Sequence, residues 1–82
     1  MKDLEKLITE AESCKTVDDL IKFCKEMVSE YRAGKQAQHL SAIKKIEYLY
    51  YNGEGSESYR ETYARNKLFR MIGNVCLNEK VI

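Results

Sequence analysis

Between Leu20 and Tyr31 the apolar side chains recur at a spacing that only a helix brings to one side. Leu20, Phe23, Cys24, Met27, Val28 and Tyr31 stand at i, i+3, i+4, i+7, i+8 and i+11, the stripe of an amphipathic helix packed on a core. The residues before it read as a start signal. Thr16 is placed to accept a hydrogen bond as N-cap, and Asp18 and Asp19 put negative charge where the helix dipole favours it. Asp19 at the third position makes a shortened capping box. The stripe predicts a helix ending near Arg32, with Gly34 as a left-handed stop. Proline is absent from the whole chain, so the strongest helix breaker is missing everywhere.

Three further segments carry the same period. Leu4, Leu7, Ile8 and Ala11 predict a short first helix to about Ser13. A third helix is expected from about Lys35 to Tyr51, with Ala42, Ile43, Ile46, Leu49, Tyr50 and His39 on one face and Gln38, Lys44, Lys45 and Tyr48 opposite. Asn52-Gly53-Glu54-Gly55-Ser56 is a loop on its two glycines. Ser58-x-x-Glu61 reads as a capping box opening a fourth helix. There Ala64, Leu68, Met71, Ile72, Val75 and Cys76 share one face, and Tyr59, Tyr63, Asn66, Lys67 and Arg70 the other. Residues Asn78 to Ile82 are expected to fray. No alternation of period two is sustained anywhere, and no internal repeat is visible. The expectation is an all-α fold: residues 1–82 as a single domain, a compact bundle of about four helices.

Eighty-two residues leave room for one thin core. A thin helical core gains by pairing, so a homodimer is also an expectation. The net charge of +1 argues against a strong general attraction to nucleic acid. Its distribution is uneven. Residues 1–33 hold six basic and eight acidic side chains, net −2, and residues 34–82 hold eight and five, net +3. Arg60, Arg65, Lys67 and Arg70 face only Glu61 in the stretch that carries most of the excess. No run approaches the roughly 20 apolar residues of a membrane helix, and the first residues lack the apolar run of a secretory signal. Membrane insertion is not expected. The three cysteines, Cys14, Cys24 and Cys76, form no Cys-x-x-Cys pair, which fits a reducing cytoplasm and buried thiols.

Catalytic groups are scarce. His39 is the single histidine, on an apolar face, with no local nucleophile or carboxylate arrangement around it. His-x-x-x-His and Glu-x-x-His spacings are missing, so no metal site is expected. Glu54-Gly55-Ser56-Glu57 lacks the alternating ligands of a calcium loop, and Gly53-x-Gly55 does not continue into a phosphate loop. The expectation is a protein without enzymatic activity and without a cofactor.

The six tyrosines point elsewhere. Tyrosine offers a large apolar ring and a hydroxyl at low entropic cost, so exposed clusters anchor partners. Tyr48, Tyr59 and Tyr63 fall opposite the apolar stripes, and Tyr51 falls at a helix end. Tyr59, Tyr63, Lys67 and Arg70 form a stripe at i, i+4, i+8 and i+11. Tyr48, Tyr51, Tyr59, Tyr63, Lys67 and Arg70 are therefore the candidate partner-binding residues. A protein surface is the first-ranked partner. Nucleic acid ranks second, because aromatics interleaved with cations stack on bases and neutralise phosphates.

Two resemblances follow. The block Lys44-Lys45-Ile46-Glu47-Tyr48-Leu49-Tyr50-Tyr51-Asn52-Gly53, with the chain's length and lack of Pro and Trp, resembles small accessory proteins of T-even-like phages. Among these are cytoplasmic lysis-inhibition proteins, the antiholins. That resemblance implies a regulator binding the cytoplasmic part of a holin, and it carries no site residue with it. Cys14-Lys15-Thr16-Val17-Asp18-Asp19-Leu20, with Ser41-Ala42 downstream, resembles the Hha/YmoA family of helical bacterial modulators, which implies binding to a nucleoid-structuring protein.

Overall fold

A computed structural model describes residues 4–30 and 36–81, with side chains for 5–30 and 36–75. Its elements are α1 (Leu4–Glu12), α2 (Val17–Glu30), α3 (Gln36–Asn52) and α4 (Glu57–Val81). The fold is an all-α bundle, as the hydrophobic period requires. The expected end of the second helix at Arg32 and Gly34, the ring of Tyr31 and the start of the third helix at Lys35 lie outside the described residues.

The long fourth helix organises the bundle. Its 25 residues span about 37 Å at 1.5 Å per residue, close to the longest extent of the molecule, 39 Å. α1, α2 and α3 each pack against α4, and α2 also packs against α3. The core is wholly apolar among the described residues. Leu7 and Ala11 come from α1, and Val17, Leu20, Ile21, Cys24, Met27 and Val28 from α2. Ile43 and Ile46 come from α3, and Ala64, Leu68, Met71, Ile72 and Val75 from α4. The side chain of Cys76, expected on this last face, lies outside the described residues. In α2 the buried set gains Val17 and Ile21, while Phe23 is only half-buried against the core.

The start of α2 forms as its sequence suggests. The Asp19 amide donates to Thr16 Oγ1 at 3.1 Å, and the Leu20 amide to the Thr16 carbonyl at 3.1 Å. The start of α4 differs from expectation. Ser56, not Ser58, is the N-cap: its Oγ accepts from the Tyr59 amide at 3.1 Å, and Glu57 is already helical. The reason lies in the loop. The Gly53 amide closes α3 on the Leu49 carbonyl at 2.8 Å. Gly55 then adopts φ +106°, a backbone open to glycine alone at low cost, and turns the chain two residues earlier than a Ser58 cap needs. The Tyr59 ring lies over Gly55, with Cδ1 3.2 Å from where a Cβ would stand. At the other end α4 continues as helix to Val81, where fraying from Asn78 was expected.

The face of α3 also differs. Ile43 and Ile46 are buried, and Leu40 and Tyr50 pack partly against the core. Ala42, expected inward, is exposed, and His39 and Leu49 are half-buried. α3 thus carries two adjacent stripes, one on the core and one beside it.

Two arginines tie elements together through backbone carbonyls. Arg60 Nη1 donates to the carbonyls of Tyr50 at 3.0 Å and Tyr51 at 3.5 Å, satisfying acceptors that the C-terminus of α3 leaves open. Arg65 Nη2 donates to the Lys15 carbonyl at 2.9 Å in the α1–α2 connection. Its Nε pairs with Glu61 at 3.3 Å.

Candidate interaction groove between α3 and α4

The second stripe of α3 faces a matching stripe of α4. His39, Ala42, Lys45, Ile46 and Leu49 line one side of an open groove, and Tyr63, Lys67, Arg70, Met71 and Asn74 the other. It encloses about 350 Å³. A smaller hollow of about 170 Å³ continues it towards the α3–α4 loop, sharing Leu49 and Tyr63 and adding Gly53, Glu54, Tyr59 and Arg60. No residue of α1 or α2 lines either hollow.

Helical spacing places the α4 side chains. Tyr63, Lys67, Arg70 and Asn74 stand at i, i+4, i+7 and i+11, one stripe of a helix surface. Tyr59 stands one turn before. The rings of Tyr59 and Tyr63 stack with centroids 6.5 Å apart and planes 26° from parallel. Lys67 Nζ lies 5.5 Å from the Tyr63 centroid, within reach of cation–π attraction. The result is an ordered ladder of ring, ring and ammonium along the groove. Tyr59 is 63% exposed; Tyr63 and Lys67 are half-buried and Arg70 is exposed.

Four of the six residues singled out in the sequence, Tyr59, Tyr63, Lys67 and Arg70, therefore lie along one groove. Tyr48 and Tyr51 do not line it. Tyr48 is 64% exposed on another side of α3. Tyr51 is 52% exposed at the end of that helix, edge-on to Tyr50 at 4.9 Å. Sequence reasoning missed the α3 wall. The helical wheel puts Lys45 opposite the apolar stripe, yet it stands on the groove rim. The signal for that wall is the His39, Ala42, Lys45/Ile46, Leu49 spacing. The basic cluster of α4 also divides: Arg60 and Arg65 are engaged with carbonyls, leaving Lys67 and Arg70 at the groove.

Charge is uneven along the groove. Its main hollow has His39, Lys45, Lys67 and Arg70 in its walls and no carboxylate, in a chain with 13 acidic residues, while the smaller hollow holds Glu54 as well as Arg60. Elsewhere, Cys14 and Cys24 titrate above the ordinary thiol value. Burial pushes Cys24 up to about 12, with Cys14 nearby adding to the effect. Cys14 is raised by burial and by Asp19, against a smaller lowering by Arg65, and its thiol donates to the Glu10 carbonyl at 3.6 Å. Neither is poised as a thiolate nucleophile. No helix of the described residues is long and apolar enough to cross a membrane. Among those residues no three His, Cys, Asp or Glu side chains converge as metal ligands. Comparison with family models, with curated proteins and with solved structures finds no match to this chain.

Proposed function

We propose that this chain is a small non-enzymatic regulator that acts in the cytoplasm, binding a protein partner through the α3–α4 groove and inhibiting or modulating it. The observation that supports this most is the Tyr59–Tyr63–Lys67 ladder. It holds large side chains in one orientation beside the core instead of within it. Ordering two rings before binding lowers the entropy lost on association, and aromatic and basic side chains of this kind anchor interfaces. The resemblance to phage lysis-inhibition proteins names one specific candidate, the cytoplasmic segment of a holin.

A photo-crosslinking residue in place of Tyr59, and one in place of exposed Ser29 on α2, tests the surface in cells. Crosslinks from position 59 and not from 29 are expected, and Tyr59→Ala/Tyr63→Ala should lose the same partner in pull-down. Equal recovery by wild type and the double variant would refute the assignment. The carboxylate-free main hollow also favours a second reading, a nucleic-acid-associated or nucleoid-protein-binding regulator of the Hha/YmoA type. Direct nucleic-acid binding predicts a DNA or RNA complex that weakens steeply with salt, and no shift at low salt removes it.

A further inference from the structure

We propose that the α3–α4 groove receives an acidic amphipathic helix of the partner, about four turns long. This rests on the partner-binding reading above and gives the partner a chemistry. Three observations carry it.

The first is shape. From Tyr59 to Asn74 the α4 wall runs about 22 Å, the length of a helix of roughly 15 residues. α2 already lies against both α3 and α4. The groove is lined by the same two helices and by nothing from α1 or α2, so a further helix seated there takes a place equivalent to α2's on another side of the pair. The second is the floor. Ile46 and Met71 keep 8% and 7% of their surface exposed, while every other buried apolar residue keeps 3% or less. Both open into this groove, beside half-buried Leu49. Apolar residues at i, i+3, i+4 and i+7 of a docked helix would cover that strip. The third is the rim. Lys45 stands on one wall and Lys67 and Arg70 on the other with no carboxylate between them, so carboxylates flanking the apolar stripe of the incoming helix meet cations on both sides.

Single-stranded nucleic acid fits this surface less well. Two α4 arginines, Arg60 and Arg65, already donate to carbonyls. The Tyr63 ring is engaged by Tyr59 and Lys67, and the Tyr59 ring lies over Gly55. Bases stacking on these rings would compete with those contacts.

The test is fluorescence anisotropy on the full chain. The probe is a fluorescein-labelled peptide of about 15 residues with leucines at helical spacing and glutamates beside them. Its controls are the same peptide with lysine for every glutamate, and fluorescein-labelled oligothymidine. The acidic peptide should bind, and bind at least about tenfold more weakly to Lys67→Glu/Arg70→Glu. Lys45→Glu, an exposed position on the opposite wall, should weaken it in the same direction, with circular dichroism confirming that both variants keep wild-type helicity. Equal affinity for the lysine peptide, or tighter binding of oligothymidine, overturns the proposal. So does light scattering that shows a wild-type dimer split by Lys67→Glu/Arg70→Glu, since the occupant is then a second copy of this chain. The two levels separate in the crosslinking assay. Suppose Tyr59→Ala/Tyr63→Ala loses the natural partner while Lys67→Glu/Arg70→Glu keeps it. The groove then binds a partner, and that partner is not an acidic helix.

Discussion

Cys24 is fully buried in α2, and its thiol holds its proton far into alkali. In the unfolded chain the same thiol ionises near its ordinary value of 9.0. Folding is therefore favoured in full below that value, and the contribution is lost as pH rises from 9.0 towards about 12. The urea midpoint should fall across this window more steeply in wild type than in Cys24→Ala, which has no thiol to ionise. Equal slopes would remove Cys24 as the cause. Two glycines should respond to alanine with opposite signs. Gly55 sits at φ +106°, so Gly55→Ala should cost about 1–3 kcal/mol. Gly73 lies within α4 with nothing within 4 Å of an added Cβ, so Gly73→Ala should gain up to about 1 kcal/mol. Urea denaturation of the two variants in parallel tests both signs.

Among the elements, the start of α4 offers a sharp comparison. Ser56→Ala removes the oxygen that accepts from the Tyr59 amide and should cost about 1 kcal/mol. Ser58→Ala, exposed within the first turn, should change stability by less than about 0.5 kcal/mol. The reverse order in thermal melts would restore the cap that the sequence suggests. Arg65→Ala should cost about 1.5–3 kcal/mol, the range for a hydrogen bond from a charged donor. It should also raise hydrogen exchange in α1, whose following loop Arg65 fastens at the Lys15 carbonyl. By contrast the half-exposed Lys25–Glu47 pair at 3.3 Å joins α2 to α3 for at most about 1 kcal/mol.

Legibility followed the number of stripes an element carries. α2 has one dominant apolar stripe, and its sequence names four of its six buried residues, Leu20, Cys24, Met27 and Val28. α3 has two neighbouring stripes, and a wheel merges them into one face that mixes Ala42 and Leu49 with Ile43. That merger hid the groove wall and turned Lys45 away from it. The α4 tyrosines and cations were legible because one helix orders them. The fates of Arg60 and Arg65 were not, because their acceptors are carbonyls 10 and 50 residues away, and a carbonyl leaves no mark in a sequence.

For the molecule as a whole, the thinness of the core sets the response to truncation. Stabilities of about 0.05–0.15 kcal/mol per residue give a chain of this length about 4–12 kcal/mol. Leu68, fully buried at the centre of α4, should cost about 2–5 kcal/mol as Leu68→Ala. That is a large part of the total, visible as an early and broadened melt. Tyr59→Ala/Tyr63→Ala, at the surface, should leave the melting temperature within a few degrees of wild type, so that loss of a partner in that variant reports on binding.

The position of α4 as the helix on which the other three pack has a consequence for how the chain is made. A ribosome releases α1 and α2 first; α2 can meet α3 early, but neither meets α4 until residues 57–81 follow. At about 5–20 residues per second, the stretch from Glu30 to Val81 takes roughly 3–10 s to synthesise. Through that interval the apolar sides of α1 and α2 that α4 covers stand in water on a nascent chain. A growing polypeptide in this state offers itself to trigger factor-like holdases, and a codon change that slows translation of α4 would lengthen the exposure without altering a single contact of the finished bundle.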